Sequence, residues 1–161
     1  MWKKIKPHLG KTLIAIAIPL GVGALSALLT RNSMDIYGEL NTPPLSPPSI
    51  LFPIVWTALY ILMGVSSLLV YNRRETDPSA ARQGLTYYAA SLVVNFAWSI
   101  IFFTAGALIF AFVWLLFLLY LIIRTLLCYR KVSPLAAYLQ IPYVLWVAFA
   151  GYLNAAVAIL N

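Results

Sequence analysis

Residues 83–123 contain no Asp, Glu, Lys or Arg, and neither do residues 132–161. Uninterrupted stretches of 41 and 30 residues without a charge cannot be solvated on the surface of a water-soluble domain. Soluble domains carry about 25% charged residues, whereas this chain of 161 residues carries 9%, with 63% hydrophobic. The pattern therefore predicts an integral membrane protein. At this length there is room for one membrane domain, spanning 1–161, and none for a second globular one.

A helix crosses the hydrocarbon core with roughly 20 apolar residues, within a range of about 17–25. Five segments meet that requirement, at about 12–29, 50–71, 85–103, 107–123 and 134–160. The fold class expected is all-α, a bundle of five transmembrane helices. The long uncharged run is too long for one crossing and divides at Thr104-Ala105-Gly106. The last segment is long enough to tilt or project, and Pro142 is a site for a kink. Lys3, Lys4, Lys6 and Lys11 precede the first segment, as in a secretory signal peptide. Its length and the lack of a clear small-x-small cleavage site favour a retained helix. Gly23 and Ala27 form a small-xxx-small pair in it, suited to close helix contact.

Five crossings put the termini on opposite sides. The four N-terminal lysines, Arg73, Arg74 and Arg82 after the second segment, and Arg124, Arg130 and Lys131 at the end of the fourth all fall on one side. The other side has Arg31 alone, in the loop 30–49. Basic residues concentrate in cytoplasmic loops, so this asymmetry predicts the N-terminus inside, the C-terminus outside and the loop 30–49 outside. The same distribution explains the net charge of +7 without a nucleic-acid partner. The absence of a recognisable cleavable segment favours a bacterial plasma membrane. A single cysteine, Cys128, excludes an intrachain disulfide and a Cys-based metal site. With one His and four acidic residues, all outside the apolar runs, no metal is expected. The lack of acids within the spans argues against a proton relay or ion pump, whose mechanisms place ionisable groups in the membrane.

The chemistry available is aromatic and amide. Trp56 and Tyr60 are spaced i, i+4 and share a face of the second segment. They suit either a pocket or an interfacial aromatic belt, although Trp56 lies about 9 Å into the span. Asn95 lies near the middle of the third segment, followed by Trp98 and Ser99. An amide at that depth needs a partner. The partner is either another helix or a ligand to be oriented. In the fifth segment Tyr143, Trp146, Ala150 and Leu153 share one face, which Asn154 extends. A small Ala between large side chains suits a planar ligand or simple helix packing. Trp114 reads as packing or lipid-facing, and Arg124 as a side chain snorkelling to the inner surface. Five of the ten prolines, from Pro43 to Pro53, cluster just ahead of Trp56. Such a loop loses little freedom when it closes over a cavity.

Four stretches resemble the TspO/MBR family of translocator proteins and tryptophan-rich sensory proteins. They are Tyr37-Gly38-Glu39-Leu40 with the Pro43–Pro48 cluster, Val55–Tyr60 with Met63-Gly64, Asn95–Ser99, and Leu139–Ala150 with the closing Leu153-Asn154 and Leu160-Asn161. The resemblance implies a five-helix bundle forming a homodimer. It implies a receptor or sensor, in porphyrin transport or stress response, for protoporphyrin IX, heme-like tetrapyrroles or benzodiazepine- and isoquinoline-type ligands. No resident cofactor is implied; porphyrin is the ligand or the substrate. Trp56 and Trp146 would flank the ligand and Asn95 would supply a polar contact. Tyr60, Trp98, Ser99, Ala150 and Leu153 would line the cavity, and Tyr37, Pro47 and Phe52 would come from a lid and the entry of the second span. Partners would be an apolar small-molecule ligand and the lipid bilayer. The alternative implied is an enzyme for light- and oxygen-dependent porphyrin degradation, with Trp56 and Trp146 as its redox-active groups. Leu45 and Ile36 stand where relatives often have Trp, so this lid is less aromatic. The basic residue that the cholesterol motif of animal members requires after the fifth span is missing, since no Lys or Arg follows Val132. Leu126-x-x-Tyr129-x-Lys131 fits the looser cholesterol pattern.

Overall fold

The computed structural model describes residues 2–30 and 50–161, with side chains from residue 9 to 29 and from 50 onward. It contains α1 (Trp2–Thr30), α2 (Leu51–Asn72), α3 (Pro78–Ser99), α4 (Leu108–Val132) and α5 (Pro134–Leu160). A five-residue π-helical extension, Ile100–Thr104, continues α3. All five helices are long and apolar enough to cross a membrane, and there is no strand among the described residues. The chain is a multi-pass membrane protein.

Around the bundle α1 packs on α2, α2 on α5, α5 on α4 and α4 on α3, while α1 touches α3 to close the ring. Side chains such as Ile14, Ile18, Phe110, Val113, Leu145 and Ile159 remain exposed, as lipid-facing positions should. The buried set runs through the middle on four helices, including Met63, Leu118, Ile122, Val147 and Val157. Glycine sets the closest approach of α1 to its neighbour. A Cβ at Gly64 would lie 2.6 Å from the Ala15 carbonyl oxygen, and one at Gly23 would collide with the Tyr60 ring. Gly23 thus serves the close contact expected of it, whereas Ala27 is exposed.

Local chemistry sets the helix ends. Asp77 accepts a hydrogen bond from Ala80 N at 3.1 Å and Pro78 occupies the first turn, so α3 starts at Pro78 rather than near residue 85. Apolar content marks where hydrocarbon begins, whereas a capping side chain with a first-turn proline marks where the helix begins. Similarly, α4 does not stop at 123. It runs to Val132 with Arg130 and Lys131 in its last turn, where cations favour the helix dipole. Ser133 separates α4 from α5 by itself. Its extended backbone (φ −151°, ψ 112°) ends one helix, and its hydroxyl caps the next by accepting from Ala136 N at 3.4 Å. α5 runs through Pro142 without a break.

The predicted division at 104–106 holds. Ala105 N donates to the Ile100 carbonyl at 2.9 Å, an i to i+5 bond, and Gly106 takes a positive φ of 64°. That left-handed backbone suits glycine. It turns the chain directly into α4.

Candidate ligand site

Phe52, Trp56 and Tyr60 recur every four residues, so α2 presents them on one face. α5 answers with Tyr143 and Trp146. The rings interleave: Phe52 meets Trp146 edge-on at 6.0 Å between centroids, and Trp56 meets Tyr143 edge-on at 6.1 Å. Trp56 also stacks on Tyr60 at 5.6 Å. These contacts turn the half-buried Trp56 ring toward α5.

α3 supplies the polar groups. Asn95 is buried, and its Nδ2 donates to the Tyr60 hydroxyl at 3.1 Å. The partner that an amide at this depth requires is therefore a side chain of α2. Trp98 donates its indole N–H to Asn154 Oδ1 at 3.1 Å, while Asn154 Nδ2 donates to the Leu108 carbonyl at 2.9 Å. Asn154 thus ties α3 and the start of α4 to α5. Trp98 further stacks on Phe102 at 5.2 Å.

Of the expected site residues, Trp56, Tyr60 and Asn95 are linked to one another, with Tyr143 against Trp56, and Phe52 pairs with Trp146 on the same faces of α2 and α5. Trp98 and Leu153 are buried beside the Asn154 junction, Ala150 is buried one turn below it, and Ser99 is half-buried at the end of α3. Tyr37 and Pro47, with the rest of the proposed lid, lie outside the described residues.

Two cluster members were not among the expected lining, Tyr143 and Asn154. Both stand on the α5 face that the 3-4-3 spacing marks, so periodicity carried the signal. Below them, Gln140 Nε2 donates to Ser66 Oγ at 3.1 Å, and Ser66 donates to the Ala136 carbonyl at 2.7 Å. Two buried donors or acceptors in the cluster have no partner among the described residues: the Trp146 indole N–H and the Tyr143 hydroxyl. An unpaired buried polar group is costly in hydrocarbon. Of the two, the Tyr143 hydroxyl lies on the side of Ser91 in α3, which leaves the Trp146 N–H as the donor for a polar atom of a ligand or for water. As packed here, the rings of α2 and α5 meet one another directly.

Three other readings are resolved. Trp114 packs on α3, donating to the Val94 carbonyl at 2.8 Å, and is not simply lipid-facing. The Arg124 guanidinium lies 5.4 Å from the Tyr87 ring centroid, held against α3. Tyr129, the centre of the loose cholesterol pattern, is fully buried and shares a 2.8 Å hydrogen bond with Ser67. That ring faces the helix core and presents no surface to a sterol in the bilayer.

The TspO/MBR family model matches residues 15–160. The chain belongs to the TspO/MBR family. Among TspO/MBR relatives, the tryptophan-rich protein TspO of Chlorobaculum tepidum is 33% identical over 92% of this chain and 94% of its own length. The translocator protein of Bos taurus is 35% identical over 92% of this chain and 86% of its own. Protein CrtK of Rhodobacter capsulatus is 34% identical over 86% and 85% respectively. The similarity therefore spans animal and bacterial members and covers all five helices.

Proposed function

We propose that this TspO/MBR protein is a membrane receptor that binds tetrapyrroles, with protoporphyrin IX as the representative ligand, between α2, α3 and α5. The observation that carries the reading is the interleaved set Phe52, Trp56, Tyr60, Tyr143 and Trp146 beside the buried amide of Asn95. Flat aromatic faces suit a flat macrocycle. A few polar atoms in an apolar site set orientation, and the Trp146 N–H, which has no partner among the described residues, adds one donor. The relatives' names, translocator protein and tryptophan-rich sensory protein, agree with sensing or transport. In this reading Phe52 and Trp56 swing away from α5 to admit the ligand, Ala150 leaves room for the ring, and loop 30–49 with Tyr37 and Pro47 closes over it. Trp98, Ser99 and Leu153 complete the wall. Benzodiazepine- and isoquinoline-type compounds would compete for the same aromatic faces. The protein works as a homodimer in a bacterial plasma membrane, with the N-terminus cytoplasmic.

Titration of the purified protein with protoporphyrin IX, followed by tryptophan fluorescence, tests the reading. Saturable quenching is expected, with affinity lost in the Trp56→Ala, Trp146→Ala double variant. Unchanged affinity in that variant would sink the assignment. Repeating the titration under light and oxygen separates binding from the enzymatic alternative. Binding alone leaves the porphyrin bands at the no-protein level, whereas catalysed degradation yields a new product above it.

A further inference from the structure

At the basic end of the bundle, the end of α2, the turn that follows it and the first turns of α3 enclose an open cleft of about 650 Å³. That volume is in the range of small-molecule sites, roughly 300–1,000 Å³. Arg74 and Arg82 stand at its mouth, and Ala81, Leu85 and Ala89 line the slot below. Arg74 is held in place: its guanidinium carbon lies 4.2 Å from the Tyr71 ring centroid, and its Nη1 donates to the Tyr71 carbonyl at 2.8 Å. Lys11 of α1 brings a third cation, 5.8 Å from the same ring centroid. One acid, Glu75, also lines the mouth. The other nearby acid, Asp77, is engaged in capping α3. The mouth therefore remains positive.

The slot has a direction. Arg82 and Ala89 are seven residues apart on α3, about 10 Å along the axis at 1.5 Å per residue. It leads from the charged end of the helix towards mid-membrane, and its walls become apolar on the way. A cationic mouth at headgroup depth above an apolar slot matches an amphiphile with an anionic head and an acyl chain. Basic pockets between transmembrane helices recognise anionic headgroups in this way, and guanidinium groups match phosphate oxygens geometrically. Holding Arg74 on Tyr71 in advance reduces the freedom lost on binding.

We infer that this cleft is a site for an anionic phospholipid, its phosphate between Arg74 and Arg82 and one acyl chain against Leu85 and Ala89. The site is separate from the aromatic cluster and does not depend on what that cluster binds.

Native mass spectrometry of the full-length protein with phosphatidylglycerol and phosphatidylcholine tests it. The protein should retain phosphatidylglycerol preferentially. The Arg74→Gln, Arg82→Gln double variant should lose roughly 30-fold in that retention, the combined effect of two basic side chains at a charged surface. Ala89→Phe, which narrows the slot without touching charge, should weaken it as well. Arg130→Gln, at the same end but outside the cleft, should leave it unchanged. Equal retention in the double variant and the unaltered protein would overturn the proposal. So would an Arg130→Gln loss as large as the double variant's, which would mean diffuse surface charge. Complete displacement by millimolar inorganic phosphate would reduce the site to a simple anion site. Quantitative disulfide dimerisation of a Thr86→Cys variant in lipid would assign the cleft to a second copy of the chain.

Discussion

Asn154 uses both ends of its amide inside the bundle, accepting from Trp98 and donating to the Leu108 carbonyl. Its sequence position, in an apolar span on the same face as Ala150, announces that it needs partners. It does not say which, because the partners arrive from residues 46 and 56 positions away. Asn154→Leu removes both bonds and leaves the Trp98 indole N–H unpaired, whereas the Leu108 carbonyl, in the first turn of α4, keeps its place in the helical ladder. Interhelical hydrogen bonds in membranes average about 0.6 kcal/mol, so the loss should be about 1–3 kcal/mol once the stranded N–H is included. Thermal unfolding in detergent measures it, and a variant as stable as the parent would remove Asn154 from the role of junction. Trp146 presents the opposite case. Its N–H has no partner among the described residues, so Trp146→Phe keeps the edge-on contact with Phe52 and breaks no hydrogen bond among them. Stability should change by less than about 1 kcal/mol, since little beyond ring size is altered. Protoporphyrin affinity should nevertheless fall, if the indole N–H is the donor the ligand uses. A stability loss as large as that of Asn154→Leu would instead mark Trp146 as packing alone.

At the scale of helices, the α1–α2 contact depends on absent side chains. Gly64 brings α2 against the Ala15 backbone, and backbone cannot move aside as a flexible side chain can. Gly64→Val should therefore push α1 outward and cost about 1–3 kcal/mol, in the manner of overpacking. Gly10→Ala, with nothing within 4 Å of the added carbon, should be close to neutral. Comparing both variants by thermal unfolding in detergent checks this; equal stability would show that α1 adapts freely. Hydropathy located all five helices but misplaced three ends: α1 begins at Trp2 rather than near 12, α3 at Pro78 and α4 ends at Val132. Capping pairs carried the missing information: Asp77-Pro78 opens α3 as Ser133-Pro134 opens α5, and basic residues extend α4 to Val132. The π-helical extension at Ile100–Thr104 had no such signal. Its i to i+5 bonds follow from how α3 must meet the turn at Gly106, which is a property of the assembled bundle. Likewise the spacing on α2 and α5 made the aromatic faces legible. The pairing of Phe52 with Trp146 and of Trp56 with Tyr143 depends on helix register, which no single-helix period encodes.

For the whole molecule, charge and helix connectivity make a joint statement about orientation. The exposed α2–α3 turn carries Arg73 and Arg74, and the last turn of α4 carries Arg130 and Lys131, so both lie at one end of the bundle. The opposite end has the uncharged turn Ala105-Gly106-Ala107 and the C-terminal Asn161. Moving one span inverts the whole set, because α3, α4 and α5 are joined by short turns and pack against one another. The positive-inside bias should therefore fix a single orientation, with Arg130 cytoplasmic and Ala105 outside. Cysteine labelling can test this. Cys128 is buried, so it is first replaced by Ala to give a thiol-free parent. Ala105→Cys and Arg130→Cys, both at exposed positions, are then treated in intact cells with a membrane-impermeant maleimide. Ala105→Cys should react at once, and Arg130→Cys only after permeabilisation. The reverse pattern would invert the bundle and place the basic cleft in the outer leaflet. Labelling of both in intact cells would mean that charge asymmetry does not set a single orientation, because the two positions are at opposite ends of α4.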